Sequence, residues 1–334
     1  MEHLYSLNRR SDKKETIDSL IFQKDSKLYH ASIETYIEDN QKKRFISQSF
    51  EYCKIKNNDS PLSALFKYGD IYSTSSLKAK DFRLNKFAQI PGEFNPRVFR
   101  PFIQVHESIN FGVENKIDKL AKEVFRYPDF TPNDFTKQIM AVNQLGTLKE
   151  ILLTILDTTY PATSNLKTYG QNIKNLLVLS CIEVETQLKG IFKANEFNAK
   201  TSNYTTKDFV KLKDILHLDK YSVKYPYYPA LKPITPFKKW KASNPTTSLK
   251  WYDSYNSIKH NGELDFNKAT LENAISAFSA VAILLKAQYG NHIPFWEEKV
   301  GGIIEVTNNI TWSVNEMLLP PLKKGHWIPT KIGF

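Results

Sequence analysis

The sequence predicts an α+β protein, an N-terminal β-rich domain followed by an α-helical bundle. Three observations carry this expectation. Apolar residues change from near-alternation to helical spacing around Glu114. Two long apolar stripes at helical spacing lie at about 172–193 and 268–289. Prolines and Asn/Asp/Gly/Ser clusters cut the first third of the chain into short runs of strand length. A chain of 334 residues is long enough for two such domains.

Taken in order, residues 1–20 are polar and charged and are expected to form a loose arm. The β-rich domain is expected over 21–113. Its runs are 28–37, which partly alternates, 45–55, rich in aromatic and β-branched residues, and 98–113, with Phe99, Phe102, Ile103, Val105, Ile109 and Phe111. No motif of known chemistry lies in it. The helical domain is expected over 114–290, with its core at about 135–290. It begins with a short helix at 116–125 and, after the break at 128–132, one or two helices over 134–156. The clearest helix covers 172–193, where Ile173, Leu176, Leu177, Cys181, Val184, Leu188 and Ile191 form one stripe flanked by Glu183 and Glu185. A short helix at 207–216 and an aromatic, proline-rich loop at 221–245 follow. Two more helices are expected at 247–260 and 268–289. The first stops at Asn261-Gly262, with Gly262 as a left-handed cap, and the second opens on Asn267 as N-cap and ends at Gly290. Residues 291–334 form a C-terminal extension whose 307–314 segment suits a helix or a strand.

Composition narrows the function classes. No apolar run approaches the roughly 20 residues of a membrane span, and the start Met1-Glu2-His3-Leu4 lacks a signal-peptide pattern. Cys53 and Cys181 fall in different predicted domains, which argues against a disulfide framework or a structural zinc site and suits a reducing cytoplasm. The expectation is therefore a cytoplasmic protein with no membrane partner, no metal and no cofactor. Phosphate-loop, dinucleotide-glycine, zinc-binding His-Glu-x-x-His and nucleophile-elbow patterns are all missing from the sequence.

The formal charge of +11 is unevenly placed: residues 200–250 hold eleven lysines against three aspartates. Aromatics are interleaved with them. Lysines neutralise phosphates and rings stack on unpaired bases, so the mixture suits RNA or single-stranded DNA. Lys238, Lys239, Trp240, Lys241 and Lys250, with Tyr255, are the candidate contacts. The competing reading is a solvated, lysine-rich surface over an ordinary core. All seven arginines lie at or before residue 126.

The segment 251–261 reads Trp-Tyr-Asp-Ser-Tyr-Asn-Ser-Ile-Lys-His-Asn. Asn256 and His260 are four apart and share one helix face, with Lys259 bordering it. An amide, an imidazole and an ammonium so placed could hold a phosphate and move a proton, as RNA cleavage by 2′-hydroxyl attack requires. The same residues also suit simple capping of a helix C-terminus, which favours cations.

Tyr255-Asn256-Ser257-Ile258-Lys259-His260, followed by an alanine-rich helix with Ala269, Ala274, Ala277, Ala280 and Ala282 and preceded by the acid-flanked helix at 172–193, resembles the HEPN superfamily over about 135–290. The resemblance implies a bundle of four or five helices, often dimeric. Active members act as metal-independent endoribonucleases in bacterial antiviral defence and toxin systems, held in check or triggered by an antitoxin or activator protein. Active members carry an arginine, commonly followed by Asn, Asp or His, with a histidine a few residues on. By position, Asn256 is the polar residue and His260 the catalytic histidine, with Lys259 as the nearby charge. The chain departs from the pattern at Tyr255, where the arginine belongs. The departure leaves open a non-catalytic module that binds RNA, a nucleotide or a partner protein, and a guanidinium supplied from outside by Arg97, Arg100 or Arg126.

Overall fold

The computed structural model describes residues 2–9, 16–24, 26–38, 41–56, 58–69, 78–86, 92–101, 104–105, 132–198, 203–291, 293–312, 316–318 and 327–334. The chain is a mixed helix-and-strand protein that separates into two compact units. Unit 1 comprises residues 1–94, 100–129 and 311–329; unit 2 comprises 95–99, 130–310 and 330–334.

Unit 1 is built on a sheet. Strands β1 (Glu2–Arg9), β2 (Thr16–Lys24), β3 (Lys27–Glu38) and β4 (Gln41–Lys54) form an antiparallel meander. Helix α1 (Pro61–Tyr68) follows, then β5 (Phe82–Lys86), which pairs with β1, β6 (Glu93–Phe94), and β7 (Gln104–Val105), which runs parallel to β4. Leu7, Ile21, Leu28 and Phe82 meet Ala64 and Leu65 of α1 in a small apolar core. Pro61 opens α1, and Ser60 caps it by accepting from the Ser63 amide at 3.2 Å.

Two expectations change here. Residues 1–20 are not a loose arm: β1 and the first part of β2 occupy most of that range. A polar strand of low β propensity is held because its backbone is paired on both edges, by β2 and β5, and because Leu7 is fully buried; neither gain is local to the segment. Within the run 98–113 the described residues are 98–101 and 104–105; of these, 104–105 pairs in the sheet, while Val98 packs into the core of the helical unit and the Phe99 amide donates to the Ala287 carbonyl at 3.0 Å. The helix expected at 116–125 lies outside the described residues.

Unit 2 is helical. Its long helices are α2 (Pro132–Thr158) and α3 (Gln171–Ala194). Two single-turn helices, α4 (Thr206–Phe209) and α5 (Leu212–Ile215), stand in place of the one helix expected at 207–216. After β8 (Tyr221–Lys224) come α6 (Lys250–Asn261) and α7 (Leu271–Tyr289). The tail then adds α8 (Trp296–Lys299) and β9 (Glu305–Asn308), which pairs antiparallel with β8. The unit therefore extends past the expected end at 290, to residue 310, and the expected start at 114 lies outside the described residues.

Helix α7 is the axis of this unit. Nearly all its residues are buried, including Ala274, Ala277, Ala280 and Ala282, whose small side chains let neighbouring helices approach closely. It runs parallel to α3: Tyr169 bridges to Thr270 where both begin, and Gln288 Nε2 donates to Gln187 Oε1 at 3.0 Å where both end. Thr270, not Asn267, caps α7, accepting from the Asn273 amide at 3.4 Å. Gly262 is right-handed (φ −62°) rather than a left-handed cap, and a Cβ there would stand 3.0 Å from the Ile258 carbonyl. Among the described residues one helix, α2 over Asp134–Thr158, is long and apolar enough by length and composition to cross a membrane, which no contiguous apolar run had indicated. Its stripe of Val142, Leu145, Leu148, Leu152 and Ile155 is packed in the core of unit 2.

Candidate functional site

Helix α6 divides its residues cleanly between two faces. Trp251, Tyr252, Tyr255 and Ile258 are buried, and Trp251 fixes the start of the helix by donating from Nε1 to the Pro236 carbonyl at 3.1 Å. Ser254 is buried on the α7 side, where Asn273 Nδ2 donates to its Oγ at 2.8 Å and to the Lys268 carbonyl at 3.0 Å. These contacts set the rotation of α6. They leave Asn256 half-buried, and Lys259 and His260 exposed, on the remaining face in the last two turns. The structure thus brings Asn256 and His260 onto one accessible face, one turn apart. Neither side chain makes a hydrogen bond among the described residues, so their hydrogen-bonding capacity is free for a ligand.

The seam between α6 and α3 lies behind them. Tyr252 Oη donates to Glu185 Oε1 at 2.8 Å, and Lys189 pairs with Glu185 Oε2 at 3.3 Å. Burial, and the adjacent Glu185 carboxylate, push the Tyr252 phenol far above its ordinary range. Tyr255 faces the same carboxylate and the buried Cys181; burial chiefly, then Glu185, raise it to about 12. Both phenols are therefore neutral donors at neutral pH. The Lys259 ammonium stands 5.6 Å from the Tyr255 ring centroid, within cation–π range. Glu185 is a member of the site that only its flanking place on the helical stripe had marked. Tyr252 carries no signal in sequence that separates it from an ordinary core aromatic.

The expected RNA contacts divide. Lys238, Lys239 and Lys241 are exposed. Lys250 is exposed but engaged: it and Lys167 both hold Glu272 Oε2, at 3.0 and 2.7 Å. Trp240 and Tyr255, expected to stack on bases, are buried instead. Trp240 donates from Nε1 to the Pro245 carbonyl at 2.8 Å and packs on Phe237, whose centroid is 5.4 Å away. Tyr221, Tyr225 and Phe237 are also core residues. Aromatics spaced among lysines alternate in sequence as a base-stacking surface would, but here Tyr221, Tyr225, Phe237 and Trp240 close the loop 221–245 onto the bundle, Tyr227 alone of its rings is largely exposed, at 68%, and each lysine of the loop points out.

An arginine does enter the helical unit, at the wrong end. Arg97 adopts a left-handed backbone (φ 59°) and lays its guanidinium over Gly190, where a Cβ would stand 1.7 Å from Nη1. Its Nε donates to Gln288 Oε1 at 2.8 Å. Gly190 lies nine residues C-terminal to Cys181, the residue level with Tyr255, a rise of about 13 Å. His260 lies farther off in the opposite direction, since α6 runs antiparallel to α7, with Ser254 at Asn273 and Ser257 at Lys268, and α7 runs parallel to α3. Within one chain Arg97 does not reach His260. Arg100 belongs to unit 1, and Arg126 lies outside the described residues. Among the described residues no group of three or more His, Cys, Asp or Glu could hold a metal ion. The chain matches no family model, no curated protein and no solved structure.

Proposed function

We propose that unit 2 is a HEPN-like, RNA-directed module and that it cuts RNA without a metal ion, as an endoribonuclease effector of the kind found in bacterial defence and toxin systems. The observation that carries this reading is the accessible pair Asn256 and His260, one turn apart with free hydrogen-bonding capacity, beside Lys259. In the reaction the 2′-hydroxyl attacks the adjacent phosphorus. The O2′–P bond forms, the P–O5′ bond breaks, and the products are a cyclic phosphate and a 5′-hydroxyl. His260 takes the 2′-hydroxyl proton, and solvent returns one to O5′. Asn256 and Lys259 hold the non-bridging oxygens as charge builds on them. The exposed Lys238, Lys239 and Lys241 add long-range attraction for the RNA backbone.

A second reading, a module that binds RNA without cutting it, is favoured by one specific observation. The position of the family's arginine is held by the buried Tyr255, and Lys259 offers a point charge rather than a two-pronged guanidinium. Incubating a mixed RNA pool with the full chain in EDTA at low salt separates the two. Cleavage by the wild type that disappears in His260→Ala establishes the nuclease. Salt-sensitive binding with no cleavage by either protein supports the binding module. Neither cleavage nor binding would refute both.

A further inference from the structure

The end of α6 opens onto a second cluster. We propose that Tyr169 and Phe266, with Lys174 and Lys268, form a stacking subsite for one unpaired nucleobase and its phosphate, next to His260; this rests on the RNA-directed reading above. Tyr169 is 52% exposed, although it is a large ring. It meets Phe266 edge to face, with centroids 5.8 Å apart and ring planes at 88°. The Lys174 ammonium lies 5.5 Å from the Phe266 centroid.

The backbone under this pair is fixed. Tyr169 bridges to Thr270, the Leu271 amide donates to the Thr168 carbonyl at 2.8 Å, and the Glu272 amide donates to the Leu166 carbonyl at 3.0 Å. Phe266 follows directly on α6, where the Asp265 amide donates to the Asn261 carbonyl at 3.0 Å. Lys268 pairs with Asp265 Oδ1 at 3.0 Å and donates to Ser257 Oγ at 3.2 Å, which places its ammonium within one turn of both Asn256 and His260, its charge shared with that carboxylate. Exposure alone does not mark such a ring, since Tyr227 and Phe295 are 68% and 52% exposed; Tyr169 differs in standing against Phe266 with Lys174 and Lys268 close by. A ring held rigidly with an open face, beside two ammonium groups, matches what a flat base and its phosphate need and a duplex cannot use, because duplex bases are already stacked. The rings the sequence had offered for this role, Trp240 and Tyr255, are buried and unavailable.

The test measures affinity of the full chain for a short oligoadenylate and for an RNA duplex of equal length, by fluorescence anisotropy, in the His260→Ala background so that no cleavage intervenes. Tyr169→Ala is expected to weaken oligoadenylate binding about tenfold and to leave duplex binding unchanged, with affinity restored in Tyr169→Phe. Unchanged oligoadenylate affinity, or an equal loss for both RNAs, overturns the subsite while leaving the RNA-directed reading intact. Binding of neither RNA by the parent protein overturns both. Circular dichroism of each variant shows whether a loss comes from unfolding; if Tyr169→Ala unfolds, Tyr169→Ser and Lys174→Gln carry the same comparison.

Discussion

The two ends of the parallel helices α3 and α7 are both polar, and they differ in how far their hydrogen bonds are used: at the C-terminal end most are paired, Asn195 Oδ1 being an exception. At the C-terminal end, Arg97 donates to Gln288, Gln288 to Gln187, and Gln187 Nε2 to Glu183 Oε1 at 3.1 Å. Burial raises the Glu183 carboxyl above its ordinary value, and Gln187 and Gln288 are nearly inaccessible. At the N-terminal end, Asn256 and His260 stand open with no internal partner among the described residues, and Tyr169 exposes half its ring. A polar cluster whose members satisfy one another specifies packing. A polar cluster with unspent donors and acceptors is where a ligand can add free energy.

The sharpest way to break this comparison is at the closed end. Arg97→Ala leaves Gln288 and its neighbours short of a charged donor in a buried setting, and is expected to cost about 3 kcal/mol of unfolding free energy, read by denaturant melts. Gly190→Ala is expected to reproduce much of that loss, about 1–3 kcal/mol, because its Cβ would occupy the guanidinium's place. A Gly190→Ala protein as stable as wild type would show that the guanidinium is not needed where it lies. In the seam between the ends, Tyr252→Phe removes the donor to Glu185 and is expected to cost about 1–2 kcal/mol.

At the open end, stability should barely respond. His260→Ala and Asn256→Ala are expected to change it by less than about 0.5 kcal/mol while cleavage falls by about a hundredfold or more. A large stability loss at His260 would make it a capping residue and nothing else. A small and pH-dependent effect is expected at Glu272. The hydrogen bond from Lys167 first, then that from Lys250, holds its carboxyl below the ordinary glutamate range, against some desolvation. The folded chain therefore binds this proton less readily than the unfolded chain. The stabilisation is present above the unfolded value and fades as pH falls through the folded one. The pair is partly exposed, so Glu272→Gln should cost under about 1 kcal/mol at neutral pH and nothing in acid, as urea melts at the two pH values would show.

Much of the helical unit is legible in the sequence because its signal is local. The stripe of Ile173 to Ile191 and that of Leu271 to Leu285 recur at helical spacing, and both segments are buried as read. The pairing of Asn256 with His260 is likewise a matter of spacing along one helix. What the sequence does not display is non-local. The strand character of residues 2–9 depends on two distant partners, β2 and β5. The docking of Arg97 depends on the missing side chain at Gly190, far along the chain. Lysine-aromatic interleaving also misleads for a physical reason: Trp240 and Tyr255 have apolar faces that the bundle buries, so a ring is available to a base only where the fold leaves it uncovered, as at Tyr169 and, within the interleaved stretch, Tyr227.

The open end is tested most directly by the histidine imidazole resonances of the full chain, with His260 assigned by its absence in His260→Ala, during titration with a short oligoadenylate. The His260 signal is expected to move among the first and by the most. A His260 signal that stays fixed while other resonances shift would contradict its place at the RNA site.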